Sequence, residues 1–245
     1  MKLGKYAGLV TLLAGLNATD ASAIVPSPYF VVADDTIAPH LVQDHETALA
    51  RFKQKVDETG YQQSWRFYQF DDGRHVAFNA QKSHDYQAQS DADWAEVAEH
   101  FDAEFLASNG AVYTKTITQQ DYFLISYRDS MSSEPTKEMK SPYSHMVFVE
   151  IQLNRDANIR KSFSEWVVTQ KKAKAPLYFS TYVKQYGSNL PTVFLVFHSD
   201  SIIEFYKKLE QKGVFDPVQL LPQEVKEGIS EYRISLAKYL PEISY

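Results

Sequence analysis

The chain has 245 residues, 44% hydrophobic and 23% charged, with 31 acidic against 25 basic side chains and a formal net charge of −6. An acidic balance without a basic stripe argues against nucleic acid as a partner, because that binding rests on phosphate neutralisation. There is no cysteine, which rules out disulfides, thiolate nucleophiles and cysteine-based zinc or iron–sulfur sites and leaves stability to a packed core.

In chain order, Lys2 and Lys5 precede an apolar run from Tyr6 to Leu16, and Ala21-Ser22-Ala23 follows. A basic start, a short apolar stretch and a small-x-small tripeptide read as a secretory signal peptide, residues 1–23, cleaved after Ala23. The apolar run falls well short of the roughly 20 residues a spanning helix needs. The expectation is a periplasmic or secreted mature protein with no membrane span.

A first domain is expected over residues 24–129. It opens with a strand at Tyr29 to Val32, then a helix capped by Asp44, with Leu49, Phe52 and Val56 on one face and Gly60 at its end. Tyr61 to Phe70 reads as a strand, Asp71-Asp72-Gly73 as a hairpin turn, and His75 to Ala80 as the returning strand. A single second helix carries Trp94, Val97, Ala98, Phe101 and Phe105, and Tyr122 to Arg128 closes the set.

Residues 130–144, rich in Ser, Pro and Lys, read as a linker, and residues 145–245 as a second domain with the same order. His145 to Leu153 alternates as a strand, and a helix opened by Asp156 or Asn158 presents Ile159, Phe163, Trp166 and Val167 before Pro176. Leu177 to Tyr186, the Gly187-Ser188-Asn189 turn and Thr192 to His198 form the next hairpin. A helix from Ser201 carries Ile202, Phe205, Tyr206 and Leu209, and Tyr232, Ile234 and Leu236 alternate in the last strand.

The fold class is therefore α+β: two tandem ferredoxin-like βαββαβ domains whose antiparallel sheets pack face to face as a pseudo-dimeric α/β barrel. Phe52 and Trp166, Phe78 and Phe194, and Phe101 and Leu209 lie 114, 116 and 108 positions apart. Periods of that length mean duplicated domains, since solenoid repeats recur every 20 to 50 residues.

This order of elements, the aromatic strand Tyr178 to Tyr186, the Gly187 turn and Pro191-Thr192-Val193-Phe194 resemble the dimeric α/β-barrel superfamily, including NIPSNAP-like proteins and antibiotic-biosynthesis-type monooxygenases. The resemblance implies a dimer fused into one chain, hence a monomer. It does not carry over a catalytic set: the Asn, Trp and His residues that serve haem-degrading and quinone-forming members have no match here.

Two helices cover one face of such a sheet, so the less apolar strand faces become the barrel interior. The candidate ligand-binding residues are Tyr68, Phe148, Glu150, Tyr178, Tyr182 and Arg233. Met146, Ser180, Lys184 and, from the first half, Leu124, Ser126 and Arg128 are expected on the same face. Glu150 falls beside Arg233 on neighbouring strands, as a buried ion pair or as a carboxylate base whose proton affinity burial and the Arg would set. His40, His45, His84 and His100 fall in loops or on helix faces and are expected in solvent. No two histidines have the i, i+4 spacing of a helical metal motif, and neither a metal nor a cofactor is expected. The function that follows is binding of a small, partly apolar or aromatic molecule. The alternatives are a cofactor-independent monooxygenase-like enzyme and an interaction module with a filled barrel.

Overall fold

The structure, a computed structural model, describes residues 29–59, 65–81, 87–133, 144–155, 157–173 and 177–244. The expected signal peptide at residues 1–23, Gly60, His84, Asp156, Pro176 and most of the 130–144 segment lie outside the described residues. The chain divides into two units, Ser27–Phe123 with Leu240–Tyr245 and Leu124–Tyr239. The crossing falls within a strand, ahead of residue 130.

The first unit runs β1 (Tyr29–Ile37), α1 (Val42–Thr59), β2 (Trp65–Phe70), β3 (Arg74–Gln81), α2 (Gln87–Ala98), α3 (Ala103–Thr116) and the start of β4 (Ile117–Tyr127). β3 pairs antiparallel with both β1 and β2. The β2–β3 hairpin turns on Gly73, whose φ of 88° suits a residue without Cβ. Arg74 fastens this corner, donating through Nη1 to Asp34 at 2.6 Å and through Nε to Asp72 at 2.9 Å while its guanidinium lies 4.7 Å from the Phe70 ring centre.

Strand alternation puts Ala33, Trp65, Phe67 and Ala77 on one face, where they pack with Phe52 and Val56 of α1 and with Trp94, Val97 and Phe101. Residues 240–244 complete this core. The Trp65 indole donates to the Ile243 carbonyl at 2.9 Å, the Phe67 N–H donates to Ser244 Oγ at 2.9 Å, and Ile243 joins the same cluster.

The expected single helix around Trp94 is two helices. Asp102 starts the second, its carboxylate accepting from the Phe105 N–H at 2.6 Å, so Phe101 lies in the break between them. α1 begins at Val42 behind a 3-10 turn at Pro39–Leu41, which puts Asp44 in the first turn instead of at the cap.

The second unit runs from the end of β4 through β5 (His145–Leu153), α4 (Arg160–Lys171), β6 (Phe179–Lys184), β7 (Thr192–Ser199), α5 (Ile202–Gln211), α6 (Gln223–Glu227) and β8 (Ile229–Tyr239). Its antiparallel strands lie in the order β8-β5-β7-β6-β4. Val147, Val149 and Ile151 of β5, Val193, Leu195 and Phe197 of β7 and Phe179 of β6 meet Phe163, Trp166 and Val167 of α4 and Phe205 and Leu209 of α5. Trp166 stacks on Phe179 at 5.0 Å between ring centres. For β5 this is the helix-covered face that its alternation predicts; β7, apolar from Val193 to Phe197, is oriented by its pairing with β5. Each half of the chain thus shows the order β-α-β-β-α-α-β.

Candidate functional site

The opposite face of the second unit's sheet is built from the even-numbered residues of β5, β6 and β7. Phe148 and Phe194 meet at 5.2 Å between ring centres, and Tyr182, directly across from Phe194, meets Tyr127 at 5.7 Å. Met146 and Val196 extend the apolar surface, and Ser180, Lys184 and Ser235 add polar groups; all five are buried. Ser180 Oγ lies 2.8 Å from His198 Nε2. The face thus offers flat apolar rings, an ammonium and a hydroxyl–imidazole pair, a mixture that suits an aromatic ligand carrying one polar end.

Glu150 and Arg233 are register partners on β5 and β8 and form an ion pair at 2.6 Å, as strand order leads one to expect. Their burial differs from expectation. The side chains are 26% and 50% exposed respectively, Arg233 lying in the exposed first part of β8. It is a solvent-edge pair, and Glu150 is no carboxylate sealed in a dry wall.

Phe148, Tyr182, Glu150 and Arg233 are brought onto one sheet face. Tyr178 lies just before β6, half-buried, its carbonyl accepting from the His198 N–H at 3.1 Å. Tyr68 belongs to the first unit, buried on β2 with its ring edge-on to Phe78 at 5.8 Å. On β4 the expected parity is reversed: Ile125 and Tyr127 stand opposite Lys184 and Tyr182, while Ser126 stands opposite Val183. A one-residue change of register moves every side chain to the other face, so Leu124, Ser126 and Arg128 do not share the face of Tyr182.

Sequence reasoning missed a polar cluster in the first unit. His45, expected in solvent, is 1% exposed, and so is His75. Their rings meet edge-on at 5.5 Å, and the Tyr113 ring meets that of His45 edge-on at 5.6 Å. Thr116 Oγ1 lies 3.0 Å from His45 Nδ1, Glu46 Oε1 lies 2.8 Å from His75 Nε2, and Asn109 donates to the Tyr113 hydroxyl at 2.9 Å. Burial, and then the neighbouring His75, pushes His45 down to about 3. Burial also raises the Tyr113 and Tyr122 phenols above their ordinary range. Asp35 stands opposite His75 across β1 and β3 and accepts from Gln120 Nε2 at 2.7 Å; burial raises its carboxyl to about 7. One signal of this cluster is in the sequence: His45 lies three residues before Ala48 and seven before Phe52, on the buried stripe of α1.

No protein-family model and no curated protein matches this sequence. Solved structures do resemble it. A candidate monooxygenase from Fusobacterium nucleatum is 11% identical with a TM-score of 0.53, over 89% of this chain and 94% of its own. An anthrone oxidase-like protein is 12% identical with a TM-score of 0.53, over 91% and 94%. A candidate chlorite dismutase is 11% identical with a TM-score of 0.53, over 87% and 95%. At such identities the likeness is one of fold alone, α+β with antiparallel strands. Among the described residues no helix is long and apolar enough to cross a membrane.

Proposed function

We propose that this protein binds a small, partly apolar or aromatic molecule against the ring-lined face of its second unit. The observation that carries the reading is the grouping of Phe148, Phe194, Tyr182 and Tyr127 on one sheet face together with Lys184 and the Ser180–His198 pair. The rings would take the flat body of the ligand, and the polar groups would fix its orientation. Similarity of fold to monooxygenase-like and chlorite dismutase-like proteins supports a small-molecule role. In an oxygenase version of this site, His198, held by Ser180, is the group on the face suited to act as base.

A thermal-shift series with naphthoquinones, haem and simple phenols tests the reading on the wild type and on Phe148→Ala with Tyr182→Ala. Stabilisation of the wild type that the double variant loses while remaining folded supports it. The burial of Phe148, Phe194 and Tyr182 favours a second reading, a packed face with no ligand. That reading gains if no compound stabilises the wild type and the double variant loses several degrees of melting temperature.

We also infer export and a tandem origin. The basic, apolar and Ala-Ser-Ala segments at the start of the sequence support cleavage after Ala23; recovery from the periplasm of a bacterial host with Ile24 as first residue would bear this out, and retention of Met1 would refute it. The shared element order of the two halves supports duplication of a ferredoxin-like unit into a monomeric pseudo-dimer. Light scattering that shows a stable dimer of the whole chain would count against it.

A further inference from the structure

We propose that His45 and His75 form a two-imidazole site for a first-row divalent cation of the Zn²⁺ and Cu²⁺ type, distinct from the ring-lined face and independent of it. Each ring is almost wholly buried, and in each one nitrogen is held by a hydrogen bond while the other has no partner: Nε2 of His45 and Nδ1 of His75. A buried ring nitrogen without a partner is costly to a folded protein, so two in adjacent rings call for an occupant.

The hydrogen bonds identify what the free nitrogens offer. The Glu46 carboxylate can only accept, so His75 Nε2 carries the proton of that 2.8 Å contact and Nδ1 is left for another partner. The Thr116 hydroxyl points toward the Tyr113 carbonyl at 3.5 Å, which leaves its oxygen to accept from His45 Nδ1–H at 3.0 Å and leaves Nε2 as a lone pair. Imidazoles that bind metal commonly donate their second nitrogen to a carboxylate or another oxygen, which fixes tautomer and ring orientation. Both rings have that support here. The 5.5 Å separation of ring centres also fits: with metal–nitrogen bonds of about 2.0–2.1 Å at a tetrahedral angle, two imidazole centres lie roughly 5 Å apart. Glu46 adds a negative charge beside the pair, and its side chain is 35% exposed, which marks the solvent side. Among the described residues no group of three or more His, Asp and Glu could hold a metal ion. The site therefore has two protein nitrogens as its donors. Imidazole donors suit zinc, copper and nickel and disfavour calcium and magnesium.

The test is calorimetric titration of the chelator-stripped full chain with Zn²⁺, with Ca²⁺ as control, and imidazole ¹⁵N spectra of the wild type. One equivalent of Zn²⁺ should bind, and the signals of His45 and His75 should respond ahead of those of the other histidines. Glu46→Gln, a near-isosteric change at a part-exposed position, should weaken binding about tenfold or more through the lost carboxylate partner. His40→Gln with His100→Gln should leave binding unchanged. The proposal is overturned if no stoichiometric binding occurs, if other histidine signals respond first, or if Glu46→Gln binds as tightly as the wild type.

Discussion

Replacing Asp35 with asparagine should stabilise the protein at alkaline pH and do little in acid. The Asp35 side chain is 6% exposed on β1, and burial, opposed by the Gln120 hydrogen bond and reinforced by Asp34, raises its carboxyl from 3.8 to about 7. The folded state therefore holds this proton more tightly than the unfolded chain does. Below 3.8 both states are protonated and nothing is lost. As pH rises from 3.8 toward 7 the unfolded chain ionises first, so stability falls through that window and the loss is complete above about 7. At 1.36 kcal/mol per pH unit, a displacement of about three units amounts to about 4 kcal/mol. The amide of the Asp35→Asn variant would keep an oxygen to accept from Gln120 without titrating. Urea unfolding of both proteins at intervals from pH 4 to pH 8, in the presence of a chelator, isolates the effect because the other carboxyls cancel in the difference. The advantage of the variant should grow by about 4 kcal/mol over that range. A difference that stays flat with pH would refute the burial of a protonated Asp35.

Phe163→Ala, which empties a fully buried site of the second unit's core against Trp166, should cost about 3–5 kcal/mol in urea unfolding. Arg233→Ala should cost no more than about 1 kcal/mol, because the pair with Glu150 stands at a solvent edge; a loss of about 3 kcal/mol or more would place the pair in a dry interior instead. Gly73→Ala meets no atom within 4 Å, so its cost should be the backbone term alone, about 1–2 kcal/mol for a positive φ, read from the denaturation midpoint.

Part of the second unit is legible in its sequence because β5 reads by parity, whereas β7 is apolar from Val193 to Phe197 and takes its face from pairing with β5. Val147, Val149 and Ile151 could face only the helices, and the adjacency of first and last strands set Glu150 beside Arg233. The exposure of that pair was not legible, since it follows from the first part of β8 being uncovered, which strand parity does not show. In β4, Phe123, Leu124 and Ile125 are apolar in succession and all buried, so alternation could not choose a face and the pairing with β6 decided it. The first unit hides its polar cluster for another reason. Asp35, His75 and Tyr113 are remote in sequence, and His45 follows an acidic residue that looks like a helix cap. The break at Asp102 was concealed by the apolar spacing of Trp94, Phe101 and Phe105, which suits one helix as well as two.

The dependence of the first unit on residues 240–244 gives the protein a particular order of assembly. On a ribosome the residues of β1, α1, β2 and β3 emerge first, and domains ordinarily fold as they appear. Here Trp65 and Phe67 must wait for Ile243 and Ser244, which are made after the whole second unit. The second unit can finish while the first still has a gap in its core, which residues 240–244 then close. A stop codon just before Leu240 would therefore damage the amino-terminal unit, far from the lesion in sequence, while sparing the second unit's own core.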